Sequence, residues 1–155
     1  RLSVLAGYKR SKAEVLARME QRKQSKSQPQ KQEDSYISLT ELARNHSKNT
    51  PGYVIQSWLR SENTLAFLNL WEQENNPDYR EAGYIELLEK KKTASFTLTP
   101  KLWIEKTKAT GIASKQGKGG GTFAHPMIGC EFASWISPEF KMLLLKLSLG
   151  REQVR

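Results

Sequence analysis

A chain of 155 residues with 25 Lys/Arg against 16 Asp/Glu, a net charge of +9, is sized for one domain that buries roughly 70% of its unfolded surface. Its single cysteine, Cys130, excludes an internal disulfide and a cysteine-based zinc site and fits a reducing compartment. The longest apolar run, MLLLKLSL, is broken by Lys146 and falls well short of the ~20 residues of a membrane span.

The first residues, RLSVLAGYKR, have neither the apolar stretch nor the cleavage motif of a signal peptide. They also lack an initiator Met, which predicts a fragment or a processed chain. Residues 1–34 hold nine Lys/Arg against four acids. SKAEVLARMEQRK can form a short helix, but its apolar face (Val15, Leu16, Met19) is thin. QRKQSKSQPQKQED has no aliphatic or aromatic side chain and reads as a disordered linker. The organisation expected is a basic arm at 1–34, a domain at 36–149 and a tail at 150–155.

Within the domain, YISL alternates like a short strand, and Thr40 can cap TELARNH. Thr50-Pro51 starts a second helix, since proline in the first turn loses no hydrogen bond. Its Val54, Ile55, Trp58 and Leu59 share one face. Asn63 or Thr64 opens the next helix, with Leu65, Leu68 and Trp71 inward and NNPD closing it. Residues 78–92 show no decisive pattern. SFTL alternates like a strand. Thr99-Pro100 then starts TPKLWIEKTKAT, with Gly111 as its left-handed cap. His125-Pro126 starts PMIGCEFASWI, with Ile128, Phe132, Trp135 and Ile136 on one side. Ser137-Pro138-Glu139 restarts the chain, and Phe140, Leu143, Leu144 and Leu147 form the last stripe. The fold class expected is α+β: one helix-rich domain with a few short strands.

Two features point to a polyanionic partner, and the net charge points the same way. GIAS and GTFA flank KQGKGG, which reads as a hairpin with a Gly/Lys tip. A nucleotide-phosphate loop would require G-x-x-x-x-G-K-[ST]. Here five residues separate Gly111 from Gly117-Lys118-Gly119, so spacing and hydroxyl are both wrong. The second feature is a short helix, a polar turn and a second helix, the layout of a helix-turn-helix. Gln56, Ser57 and Arg60 fall off the apolar stripe, and Gln and Arg suit base edges.

YISLTELAR, IQSWLR, FLNLWEQENNPDY, FTLTPKLWIEKTKATGI, SKQGKGGGTFAH and EFASWISPEFK together resemble the KilA-N domain across about 36–149. That family occurs in bacteriophage, prophage and large-DNA-virus proteins. The resemblance implies double-stranded DNA binding in a regulatory protein, and a relation to fungal APSES domains, which use a winged helix-turn-helix. It makes residues 115–121 the wing. The candidate DNA contacts are then Arg44, Lys48, Gln56, Ser57 and Arg60 on the helix pair, and Lys115, Gln116, Lys118, Gly119, Gly120 and Thr122 on the hairpin.

No catalytic set, metal site or cofactor is expected. His125 and Cys130 would sit about 140° apart on one helix, so His125 reads as a helix-start residue. Glu72, Glu74, Glu86 and Glu89 read as solvated helix charges. Besides DNA, the expected partner is a second copy or another protein at the apolar helix 138–149, as in a phage antirepressor, with no membrane. The expected location is cytoplasmic: a bacterial nucleoid or an infected host cell.

Overall fold

Ser38 ends a two-residue strand, β1 (Ile37–Ser38), and caps the helix that follows, α1 (Leu39–His46), by accepting the Glu41 N–H at 3.0 Å. The cap is therefore Ser38, two residues before the expected Thr40. The computed structural model describes residues 35–153. The arm expected at 1–34, with its short helix and linker, lies outside the described residues.

Thr50-Pro51 opens α2 (Pro51–Leu59), and Val54, Ile55, Trp58 and Leu59 are buried as their spacing predicts. Ser61 accepts the Thr64 N–H at 3.4 Å and starts α3 (Glu62–Asn75). That is ahead of the expected Asn63 or Thr64. The unassigned segment forms α4 (Glu81–Lys90), which packs on α5 (Pro100–Thr107). Their approach is close enough that a Cβ on Gly83 would lie 2.0 Å from the Lys106 carbonyl oxygen. SFTL forms no strand. Leu98 is drawn into the core, and Thr99 accepts the Leu102 N–H at 3.1 Å as the α5 cap. Lys108, at φ 55°, is the left-handed residue that ends α5, in place of the expected Gly111.

The chain then makes the hairpin β2 (Ile112–Lys115) and β3 (Gly121–Ala124). Both β1 and β2 pair antiparallel with β3, giving the order β1-β3-β2, with Ile37 and Ile112 both opposite Ala124. Helix α6 (Pro126–Ile136) follows, capped by His125, and α1 and α6 both pack on β3. Helix α7 (Pro138–Gln153) continues into the expected tail. Of its expected stripe Phe140 is half-buried, whereas Leu143, Leu144 and Leu147 are exposed. Trp135, expected inward, is 44% exposed.

Trp58 and Phe132 meet edge to face at 5.0 Å in the core, joining α2 to α6. The interior also holds a carboxylate that was expected in solvent. Glu72 is 1% exposed. It accepts hydrogen bonds from the Asn76 side chain at 2.8 Å, the Thr110 N–H at 2.9 Å and the Gly111 N–H at 2.8 Å. Its position, four residues after Leu68, puts it on the inner stripe of α3. Gly111 in turn accepts the His125 N–H at 2.9 Å. A Cβ on it would meet Ile128, Glu72 and Trp71 at 2.5–2.8 Å, so only glycine fits.

Burial pushes the Glu72 carboxyl above its ordinary value of 4.5, against the opposing pull of its hydrogen-bond donors. A carboxyl with a raised folded-state pKa binds more protons folded than unfolded, so its contribution to stability falls as pH rises from the ordinary carboxylate value through the raised one. Glu72→Gln removes the titration and turns an amide donor towards N–H groups. It is expected to be about 1–3 kcal/mol less stable. In urea denaturation the gap to wild type should narrow as pH is raised from about 4 towards 7.

Candidate nucleic-acid interface

Helices α1 and α2 pack against each other across a turn in which the Asn49 N–H donates to Ser47 Oγ at 3.2 Å. From Arg44 to Ser61 there is no Asp or Glu. Thr50 makes no side-chain cap bond, and the first turn of α2 holds no acid. The helix start thus presents its partial positive charge without an internal counter-charge. Arg44 is exposed and pairs with Glu41 of its own helix. Lys48 is exposed in the turn.

The outer face of α2 is a row at i, i+3, i+4 and i+7: Tyr53, Gln56, Ser57 and Arg60. Gln56 and Ser57 are half-buried, whereas Tyr53 and Arg60 are exposed. Arg60 is the C-cap residue, its N–H bonded to the Gln56 and Ser57 carbonyls. Its guanidinium carbon lies 5.8 Å from the centre of the Tyr53 ring. The Lys91 ammonium donates to the Arg60 carbonyl oxygen and so pins this helix end to α4.

In the hairpin, Lys115 stands opposite Gly121, leaving a tip of residues 116–120. Gly117 (φ 87°) and Gly119 (φ 76°) take left-handed conformations that side chains resist. The Gly120 N–H donates to the Gly117 carbonyl at 3.0 Å, closing the turn. Lys115, Gln116 and Lys118 are exposed, with the Lys115 ammonium 5.3 Å from the Phe123 ring centre. A Cβ on Gly120 would strike the Lys115 carbonyl oxygen at 2.4 Å, so this residue serves the turn itself. Thr122 does not belong with the surface candidates. It is only 9% exposed, because β3 turns it towards α1. There its N–H donates to Thr40 Oγ1 at 2.9 Å.

Helix α1 is therefore the element common to both halves of the site, packing on α2 and on β3. Two contributors escaped the sequence reading. Tyr53 lies one turn before Gln56 on the same face, a signal present in the spacing. Thr40, read there as a cap, instead ties α1 to the hairpin, and only the tertiary contact reveals that. The groups weighed for catalysis have structural surroundings. His125 accepts the Met127 N–H through Nδ1 at 3.1 Å, with its ring 5.0 Å from Trp71, and Cys130 is half-buried on α6. Among the described residues no group of His, Cys, Asp or Glu could hold a metal ion. None of their helices is long and apolar enough to cross a membrane.

Fold and site define a helix-rich α+β domain in which a basic helix pair and a Gly/Lys hairpin share one supporting helix. The chain belongs to the KilA-N domain family, which matches residues 20–149, and that family is one of DNA-binding domains. The match begins inside the basic arm. A 50-residue stretch is 46% identical to protein kilA of Escherichia phage P1, covering 30% of this chain and 19% of that protein. No solved structure matches the chain.

If Thr40 fixes the hairpin, Thr40→Val should leave the core folded and release the Thr122 N–H. The expected cost is about 1–3 kcal/mol for the unpaired donor. Amide exchange should accelerate at Thr122 and its strand neighbours, while the Trp58 neighbourhood stays protected.

Proposed function

We propose that this domain binds double-stranded DNA as a winged helix-turn-helix of a phage- or prophage-derived regulatory protein. Helix α2 turns its Tyr53–Arg60 face to the major groove, and the β2–β3 hairpin lies as a wing along the phosphates. The observation that supports this reading most is the shared support: α1 touches both α2 and β3, with Thr40 bonded to the hairpin backbone. A helix and a wing fixed to one element can engage one duplex together. Lys115 and Lys118 supply charge to phosphates, and Gln116 reaches a groove edge. The open backbone at Gly119, with nothing within 4 Å of its missing Cβ, permits close approach. Arg44 and Lys48 flank the helix pair, and Arg60 and Gln56 read bases.

Mobility shifts on selected duplexes at several salt concentrations test the reading. Lys115→Ala with Lys118→Ala should reduce the salt slope by about two, at about one per phosphate contact. Stability should stay within about 0.5 kcal/mol. Arg60→Ala and Gln56→Ala should each weaken the preferred site by about 1–3 kcal/mol and relax its sequence. An unchanged slope and preference in all of these variants would remove the assignment.

A second reading, an interaction module of the antirepressor kind, rests on α7. Met142, Leu143, Leu145, Leu147 and Leu149 are each about half exposed there. A helix apolar around its circumference requires covering. Sedimentation should show self-association that persists at high salt and is abolished by Leu143→Glu with Leu147→Glu. A salt-independent monomer would exclude pairing of copies through this helix.

A further inference from the structure

Arg60 stands at the C-terminal end of α2, about 10 Å along the axis from Tyr53 at 1.5 Å per residue. A positive charge at that end would sit away from the N-terminal half, the part of a recognition helix that meets base edges. The structure removes this difficulty. Side chains on a helix lean towards its N-terminus, and the Arg60 guanidinium lies back over the Tyr53 ring at 5.8 Å. The ring is 51% exposed, so a large amphipathic aromatic group stands in water beside the charge it supports. The ring's attraction for the cation limits where the guanidinium points, leaving its N–H groups available for a ligand.

The spacing is informative. Cation and ring centre are 5.8 Å apart, less than two base steps of about 3.4 Å. Both groups can therefore reach the same or adjacent base pairs. An arginine suits guanine O6 and N7, and an apolar surface in the major groove suits the 5-methyl group of thymine. We propose that Tyr53 is a specificity-determining residue that covers the 5-methyl group of a thymine at, or next to, the base pair read by Arg60. Tyr53 also acts on Arg60 by holding its guanidinium over the N-terminal half of α2. This inference rests on the DNA-binding reading above.

The test uses the full chain and the preferred duplex selected by it, with each thymine replaced in turn by deoxyuridine, which lacks only the methyl group. One replacement should weaken wild-type binding about fourfold, the worth of one buried methyl-sized group. It should lie at or beside the position whose preference Arg60→Ala relaxes. Tyr53→Ala should be indifferent to that replacement, and Tyr53→Phe should keep the sensitivity. Because Tyr53 is exposed, thermal melts of both variants should match wild type. If wild type selects a sequence but no deoxyuridine position matters, or Tyr53→Ala keeps the same sensitivity, the Tyr53 assignment is overturned while DNA binding stands. A preferred site with no thymine at or beside the Arg60-dependent base overturns it equally. Absence of duplex binding by the wild-type chain removes the DNA-binding reading itself, and this inference with it.

Discussion

One buried carboxylate organises the part of the chain that displays the hairpin. Glu72 reaches from α3 to the backbone N–H groups of Thr110 and Gly111, and its own helix end is held through Asn76. Asn76 also donates to the Lys108 carbonyl at 2.8 Å, so the left-handed residue that ends α5 is bound into the same cluster. A buried ionisable group is costly unless donors surround it. Here two of the donors are backbone N–H groups, those of Thr110 and Gly111, for which Glu72 is the acceptor. The hairpin's point of departure is fixed by that mutual need.

From this anchor the geometry propagates through few contacts. Gly111 passes the constraint to His125, and so to the start of α6, while β3 passes it to α1 through Thr122 and Thr40. Helix α1 then fixes α2, whose Trp58 closes the core against Phe132 of α6. The result is a closed circuit of elements around one core, with the basic hairpin at one point of it and the helix pair, free of acids from Arg44 to Ser61, at another. The remote charges are arranged differently. Glu86 and Glu89 are engaged by Lys90, Lys106 and Lys92 on and beside α4. Lysines on that side of the molecule are partly neutralised, and those at the hairpin tip stand without acids nearby in sequence.

Helix starts were legible wherever a local rule governs them. Thr50-Pro51, Thr99-Pro100 and His125-Pro126 each begin a helix where proline fits the first turn. The buried stripe of α2 and the hairpin around the Gly/Lys tip were legible for the same reason, since periodicity and glycine placement act over a few residues. Where two neighbouring hydroxyls competed, the rule gave the type and missed the residue: Ser38 and Ser61 cap in place of Thr40 and Asn63 or Thr64. SFTL shows the opposite failure. Its alternation is real, with Phe96 half-buried and Leu98 buried, but strand pairing requires a partner edge, and Thr99 is committed to a cap.

The sequence by itself determined the chain's class: a basic, helix-rich α+β domain with a Gly/Lys hairpin and a polar outer face on α2. Charge, periodicity and turn chemistry are local and survive without knowledge of the fold. Only the tertiary structure decided the rest. It buried Glu72 and Thr122, left the leucines of α7 uncovered, and drew the Arg60 guanidinium over Tyr53. Each of these outcomes depends on which distant element arrives beside a residue. A carboxylate is as acceptable inside as outside once the Thr110 and Gly111 N–H groups arrive to join Asn76 in binding it, and no pattern within α3 announces their arrival.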